Sequence, residues 1–489
     1  GLEENTTCKS QLLKPKAPSY FFPIGFRNKE ELMTQLECLK VAKSNQVGRL
    51  SENFINDFSK QSPYILCILA KDEQILKKEI NEVTKHIDDF FTADYEWQSV
   101  HGSYFTSRPL GEEAKIVYMS PPGGMFNAKA YYELLTLFPD LTQHIDYTYF
   151  NPEEMAMYQD QEKVIENYCF KIHTSHLLMR LLQEKLSLMP QQMIGASMGE
   201  MCSLLASGSI AIGEEEKESG KRFIKNVTQI IEQSFTDKNL VRNYFGEAVE
   251  DWETWYIRGD AKVIRNLVSA EEKAFVTIIG SPKDVIISGE AKVCERILKA
   301  AHGVGSPISG AYYVHTPIME SYYGKIKDII AAQGTCIRDD LDYTIYSTYA
   351  GKPLTCEKTQ VAEHIANIIT HQVDFQSIVQ KSYADGGRIF IDLSTNGMCE
   401  NWSKEVLKDV PEKLIFSMYS KKYTAEENLF RILAKLVAHH STVDLKQYLS
   451  NFEFDVNMAA SFKKNVKMGL PSYKDHLILK KNARIKEII

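Results

Sequence analysis

The short stretch GASMGE, residues 195–200, places a serine between two glycines and ends on a glutamate. Between a strand and a helix, a G-x-S-x-G turn holds its serine hydroxyl in open space, and the glycines let neighbouring segments approach closely. The strand-like QMIGA precedes Ser197 and a helix-like stretch follows it. We therefore expect Ser197 to be a nucleophile, with the backbone N–H of Met198 facing a developing oxyanion at the helix N-terminus.

Glu200 falls in the first turn of that helix, where the helix dipole favours a carboxylate. We predict a structural role for this side chain, with a catalytic role as the second choice. Residues 198–202 would then begin this helix, and we expect Cys202 to pack against its neighbours and to take no part in the chemistry.

Strand and helix patterns alternate over residues 17–110, from SYFFPIGF through YILCILA, and predict a small α/β domain there. Residues 111–445 repeat the alternation, with a long helical pattern before QMIGA and a late strand RIFIDLS, which favours an α/β-hydrolase-like parallel sheet covered by helices. Within it, about 250–313 read strand–helix–strand–strand–helix–strand, a ferredoxin-like insertion that would form one wall of a cleft. Residues 1–16 are predicted to be a flexible tail and 446–489 a C-terminal linker or wrapping tail.

The composition limits the class of protein. The chain has 489 residues, 44% apolar and 25% charged, with a formal charge of −7, which suits a globular protein and not a nucleic-acid-binding one. It has no apolar run of about 18 residues and no signal-peptide pattern. We therefore expect no membrane contact and a cytoplasmic location. The nine cysteines are scattered without a CxxC pair, so we expect reduced thiols and no metal site. The missing initiating methionine suggests a piece cut from a longer chain, and processing of the N-terminus is the alternative.

GASMGE resembles the GHSxGE motif of malonyl-CoA:acyl carrier protein transacylases and of the acyltransferase domains of polyketide and fatty acid synthases. Further similar blocks follow in the family's order: VYMSPPGGMF, SPKDVIISGE, GAYYVHTPIME and GRIFIDLSTNG. The resemblance covers about 112–440, and the SYFFPIGF region is similar to the linker domain between ketosynthase and acyltransferase. Within the family, the chain looks most like the acyltransferase of polyunsaturated fatty acid synthases.

The resemblance implies roles for individual residues. Ser197 would accept the acyl group, and His315 would take its proton and later protonate the thiolate of coenzyme A. Backbone N–H groups of Met198 and Met125 would form the oxyanion hole. In this family a backbone carbonyl mainly orients the histidine. The position of this sequence that best matches that carbonyl is around Asp374, and the side chain of Asp374 is the alternative orienter.

Three residues bear on the substrate. Arg222 stands where malonyl-using relatives hold the free carboxylate with a bidentate guanidinium, although the adjacent Lys221 leaves the register open and a solvated basic residue is the alternative. Gly280 stands where many relatives have a substrate-holding asparagine. Val314, in YYVH, is smaller than the family's phenylalanine and could leave room for an α-substituent, so malonyl, methylmalonyl and acetyl groups all stay open.

The resemblance thus implies an acyltransferase without a bound cofactor, which takes malonyl or a related group from a coenzyme A thioester to the phosphopantetheine thiol of an acyl carrier protein. Neighbouring synthase domains such as a ketosynthase would be further partners. Two alternatives remain: an acyl-CoA or acyl-carrier hydrolase of thioesterase type, and an inactive docking domain of a megasynthase. The departures at Met125, Ala196 and Gly280 motivate the last.

Overall fold

The computed structural model describes residues 14–122, 128–144, 164–212, 237–249, 251–308, 313–332, 335–338, 340–354 and 360–454, together with positions 225, 226, 229 and 233. Its N-terminal region contains, in chain order, β1 (Tyr20–Phe26), α1 (Lys29–Lys40), α2 (Val47–Asp57), β2 (Tyr64–Ala70), α3 (Glu73–His86), β3 (Glu96–Gln98) and β4 (Tyr104–Thr106).

The main region then begins, and an inserted region interrupts it. The first main elements are β5 (Lys115–Ser120), α4 (Ala128–Leu137), α5 (Val164–Leu186), β6 (Gln192–Gly195), α6 (Met198–Ala206), β7 (Ile210–Ile212) and α7 (Lys238–Phe245). The inserted region comprises β8 (Trp252–Arg258), α8 (Ala261–Ser269), β9 (Ala274–Ser281), β10 (Asp284–Glu290), α9 (Ala291–Ala300) and β11 (Val304–Ile308).

The chain then returns to the main region. Its remaining elements are α10 (Glu320–Ala331), β12 (Thr335–Ile337), β13 (Thr344–Ser347), β14 (Lys352–Pro353), α11 (Gln360–Thr370), β15 (Val373–Asp374), α12 (Phe375–Ala384), β16 (Gly387–Asp392), α13 (Met398–Val406), β17 (Leu414–Ser417), α14 (Ala425–Ala438) and α15 (Leu445–Leu449).

The N-terminal sheet is antiparallel, in the order β1-β2-β4-β3. Side chains of β2 alternate between two cores, since neighbouring residues of a strand point to opposite faces. Leu66 and Ile68 pack with the N-terminal helices, whereas Ile65 and Cys67 belong to the large core that also contains residues of α14. The N-terminal region therefore shares a core with the main region.

The main sheet has the order β14-β13-β6-β5-β16-β17. All its neighbours are parallel except the β13–β14 pair. Ile116 and Tyr118 of β5 face one core, and Val117 and Met119 face the other. Burial on both faces explains the near-continuous apolar runs of these strands and confirms the predicted α/β class with a parallel sheet.

The inserted sheet has the order β11-β8-β10-β9, all antiparallel, which is the ferredoxin-like arrangement predicted from the sequence. Helices α8 and α9 cover one face. On the other face Ile278 and Ile286 pack with Phe375 and Trp402 of the main region. The sequence did not predict one addition: the two-residue strand β15 pairs in parallel with β9 at the edge of this sheet.

The two ends of the described chain lie together. The N–H of Ala17 donates to the carbonyl of Glu453 at 2.9 Å, and the N–H of Glu453 donates to the carbonyl of Pro15 at 2.8 Å. Residues 15 and 16, predicted to be part of a flexible tail, are therefore paired. The domain limits at 110 and 445 stay predictions. In the part of the chain that the structure describes, no helix combines the length and apolar character that crossing a membrane requires.

Candidate active site

Ser197 lies on a sharp turn between β6 and α6, at the carboxyl end of a central strand of the parallel sheet. Its backbone has φ 55° and ψ −123°, a conformation that is strained for a residue with a side chain. A Cβ atom at Gly195 would lie 2.4 Å from the backbone nitrogen of Glu200, and one at Gly199 would lie 2.2 Å from the carbonyl oxygen of Ser120. Both glycines are thus required by close packing of backbone against backbone.

The structure brings His315 to Ser197 across 118 positions of sequence. The Ser197 Oγ and His315 Nε2 atoms are 2.5 Å apart. On its other side, His315 Nδ1 lies 3.1 Å from the carbonyl oxygen of His371. Because a carbonyl only accepts, the network assigns the proton to Nδ1 and leaves Nε2 as the acceptor for the serine hydroxyl. We call Ser197 and His315 the dyad.

A second backbone contact fixes the histidine. His315 has a positive φ of 64°, and its N–H donates to the carbonyl of Ile369 at 2.8 Å. Burial lowers the pKa of the His315 imidazole to about 4, and hydrogen bonds to the backbone of His371 and Ile368 act in the opposite direction. The imidazole is therefore neutral at neutral pH, the form that can take a proton from Ser197.

The backbone N–H of Met198 is the first of α6, where the helix dipole contributes positive potential. Within the described segments it makes no hydrogen bond to another group, so it is available to an oxyanion beside Ser197. Met125, the predicted second donor, and Arg222, the predicted carboxylate ligand, lie outside the described residues.

The structure corrects the interpretation of Asp374 as an orienting carboxylate. Its Oδ1 accepts from the N–H of Ser377 at 2.9 Å and its Oδ2 from the Ser377 hydroxyl at 2.7 Å, so the side chain caps α12. The orienting group is the carbonyl of His371, three positions earlier. A main-chain carbonyl has no residue type, and no signal in the sequence distinguishes His371 from its neighbours.

Gly280, predicted as a substrate-binding position, packs tightly in the core, and its substrate role stays a prediction. A Cβ atom there would lie 2.4 Å from the ring of Trp402, which is 2% exposed in the core between the inserted and main regions. The glycine is needed for this packing, and an asparagine would displace the indole. Val314, directly before His315, is half-buried against the main core.

Comparisons with known proteins place this geometry in context. No model of a known protein family matches the chain. Over 402 residues, the chain is 22% identical to one subunit of the polyunsaturated fatty acid synthase of Thraustochytrium sp., covering 74% of this chain and 19% of that protein. It is 21% identical over 272 residues to 6-methylsalicylic acid synthase of Penicillium patulum, covering 53% of this chain and 14% of that protein. The chain thus spans a fifth or less of these relatives.

Solved structures decide the fold. The acyl transferase domain of SpnD, in complex with a 2-(pent-4-yn-1-yl)malonyl group, superposes with a TM-score of 0.65 at 12% identity, over 88% of this chain and 98% of that one. The chain has the acyltransferase fold. Malonyl-CoA:acyl carrier protein transacylase from Helicobacter pylori gives a TM-score of 0.52 at 14% identity, over 66% of this chain and 99% of that one.

A third acyltransferase structure contains a partner. A malonyl-transacylase in complex with a type II polyketide synthase acyl-carrier protein has a TM-score of 0.52 at 14% identity, over 64% of this chain and 98% of that one. The resemblance seen in the sequence is thereby confirmed at the level of the fold. The two transacylases match about two thirds of the chain, and the acyl transferase domain of SpnD matches 88% of it.

Proposed function

We propose that this chain is an acyltransferase that moves a malonyl-type group from coenzyme A, through an ester on Ser197, to the phosphopantetheine thiol of an acyl carrier protein. The observation that carries the proposal is the 2.5 Å contact between Ser197 Oγ and His315 Nε2 on a strained turn within the acyltransferase fold. The names of the similar structures, which include malonyl-CoA and an acyl-carrier protein, support the choice of donor and acceptor.

In the first half-reaction Ser197 Oγ attacks the thioester carbon while its proton moves to His315 Nε2. The Nδ1–H group stays on the carbonyl of His371 and holds the imidazolium in place. The oxyanion of the tetrahedral intermediate would face the N–H of Met198 and, in our proposal, that of Met125. The C–S bond then breaks, and the Nε2 proton passes to the departing sulfur of coenzyme A.

The second half-reaction runs the same steps in reverse with another thiol. The phosphopantetheine thiol gives its proton to His315 Nε2, and its sulfur attacks the ester carbonyl. Collapse of the intermediate breaks the bond to Ser197 Oγ, which regains the proton. A neutral imidazole is needed at the start of both halves, and the low pKa of buried His315 supplies it.

In the proposal, two residues select which acyl group is bound. Arg222 would pair with the free carboxylate of a malonyl group through a bidentate contact. Val314, beside the base, would limit the size of a substituent on the α-carbon. Neighbouring synthase domains are proposed partners because the two relatives that match by sequence are much longer chains.

Intact-mass analysis after brief mixing with malonyl-CoA, methylmalonyl-CoA or acetyl-CoA tests the proposal. We expect a malonyl adduct on the wild type, none on Ser197→Ala, and a selective loss of malonyl and methylmalonyl adducts on Arg222→Ala. Lys221→Ala is the matched control, since it removes the neighbouring charge. Release of the acyl group to water instead of to an added carrier protein would identify a hydrolase, and no adduct or turnover with any donor would identify a docking domain.

A further inference from the structure

Glu200 is a buried carboxylate three positions after Ser197. Its side chain is 1% exposed, and Oε2 accepts hydrogen bonds from Thr348, from the hydroxyl at 2.6 Å and from the N–H at 3.3 Å. Oε1 lies 2.9 Å from Nε2 of His364, which is 6% exposed. This contact lacks the geometry of a hydrogen bond, and among the described residues neither of the two atoms has a hydrogen-bond partner. The two buried polar groups thus face each other at contact distance, and removing either leaves the other without this neighbour.

His364 belongs to the helix that holds the catalytic histidine. Helix α11 runs from Gln360 to Thr370, and the carbonyls of Ile369 and His371 at its C-terminal end accept from the N–H and the Nδ1 of His315. His364 precedes those carbonyls by about one and a half to two helical turns. Its position along α11 is therefore tied to the position of the carbonyls.

Glu200 has a corresponding link to the nucleophile. Its N–H donates to the carbonyl of Ser197 at 3.0 Å, and its Cα lies against Gly195 so closely that a Cβ there would be 2.5 Å away. The Glu200–His364 contact consequently connects α6, which starts at the nucleophile, with α11, which ends at the carbonyls that hold the base.

We propose that Glu200 and His364 form a positioning pair that sets the distance between Ser197 and His315 by fixing α6 against α11. The pair does not touch the reacting atoms. It rests on the proposed function only in that Ser197 is the group whose reactivity it sustains. A displacement of one ångström between a nucleophile and its base lowers a rate by about a hundredfold, so a buried contact between their supporting helices has a measurable effect.

The test uses a fluorophosphonate, which reports on the dyad without coenzyme A. Ser197 Oγ attacks phosphorus, fluoride leaves, and the hydroxyl proton passes to His315. For Glu200→Ala and for His364→Ala we expect the second-order labelling rate per folded molecule to fall about tenfold or more. Glu200→Gln should restore most of the rate, because its side chain has nearly the same volume, still accepts from Thr348 and still places a polar group against His364. Thr348→Val, a milder change, should give a smaller decrease.

Ser288→Ala is the matched control. It removes the 2.7 Å hydrogen bond between the buried hydroxyls of Ser288 and Thr254 in the inserted sheet, so it should lower the melting temperature and leave the labelling rate unchanged. The double variant Glu200→Ala/His364→Ala should label no more slowly than the slower single variant, because the two residues act as one unit.

Labelling rates within about twofold of wild type for both single alanine variants, or multiplied losses in the double variant, would overturn the positioning pair. A wild type that labels rapidly but takes no acyl group from any coenzyme A donor would overturn the proposed function and leave the pair standing. A wild type that does not label would overturn both.

Discussion

Ser197 and His315 are held by different kinds of structure. The serine is set by its immediate neighbours, with Gly195 and Gly199 packed against backbone atoms and α6 beginning at the next residue. The histidine is set by carbonyls that come 54 and 56 positions later: His315 lies 56 positions before His371, and Ile369 precedes that residue by two. One half of the dyad is therefore local in the chain, and the other half is assembled by tertiary packing.

The difference predicts how each half responds to substitution. A local turn is damaged by changes in its own few residues, since their space is already filled by backbone. A group held by distant carbonyls is insensitive to which side chains those positions carry, and sensitive to whatever moves the helix that presents them. The following experiments separate the two kinds of support.

Removing the base should have the largest effect. His315→Ala deletes the proposed acceptor of the serine proton, and we expect acylation of Ser197 to slow by about 10²- to 10⁴-fold. Rapid mixing followed by intact-mass analysis measures the rate. His86→Ala, at an exposed histidine of α3, should leave it unchanged. A His315→Ala variant that keeps a tenth of the wild-type rate would contradict the proposed base.

A methyl group added to the turn at Ser197 should have the second-largest effect. In Gly199→Ala the new Cβ would meet the carbonyl oxygens of Ser120 and Pro121 at 2.2 and 2.3 Å, so backbone must move. We expect the free energy of unfolding to fall by about 1–3 kcal/mol, together with slower labelling of Ser197. Gly324→Ala is the control, because a Cβ there meets nothing within 4 Å. Equal behaviour of the two variants in denaturant titrations would refute the local account.

The pH dependence of the labelling rate tests how His315 is held. Burial lowers the pKa of folded His315 to about 4, against about 6.5 in an unfolded chain. The base stays neutral as pH falls through 6.5, so the labelling rate per folded molecule should hold and then fall as pH approaches 4. The free energy of unfolding should change in the same direction. The stabilising contribution of neutral His315 is complete above pH 6.5 and is lost as the pH falls toward 4. A rate that halves near pH 6.5 would show an exposed base.

Removal of the Asp374 carboxylate should have the smallest effect. Asp374→Ala deletes the cap of α12, and we expect a stability loss of about 1 kcal/mol with the labelling rate within twofold of wild type. Asp72→Ala removes the same type of cap from α3, where the carboxylate accepts from Ile75 at 2.8 Å, and should cost about as much. A tenfold rate loss confined to Asp374→Ala would restore the carboxylate as the orienter.

The two halves of the site were predicted in different ways: the turn at Ser197 from its own motif, and His315 with a backbone carbonyl near Asp374 only from the family resemblance. G-x-S-x-G between strand and helix signals predicted the turn at Ser197, because the residues that form the turn are adjacent in the sequence. The two-residue strand β15 and the carbonyl of His371 escaped prediction, since neither involves a periodic pattern or a characteristic side chain. The packing of Gly280 escaped prediction for a related reason: its neighbour Trp402 is remote in sequence, and only the packed structure shows the contact.

The pairing of residues 15–17 with Glu453 has a mechanical consequence. The first and last segments that the structure describes are therefore side by side. A folded unit whose ends meet can sit within a longer chain as a side branch, without holding the flanking segments apart. Tension along such a chain would pass through the short backbone bridge, leaving the dyad outside the line of force.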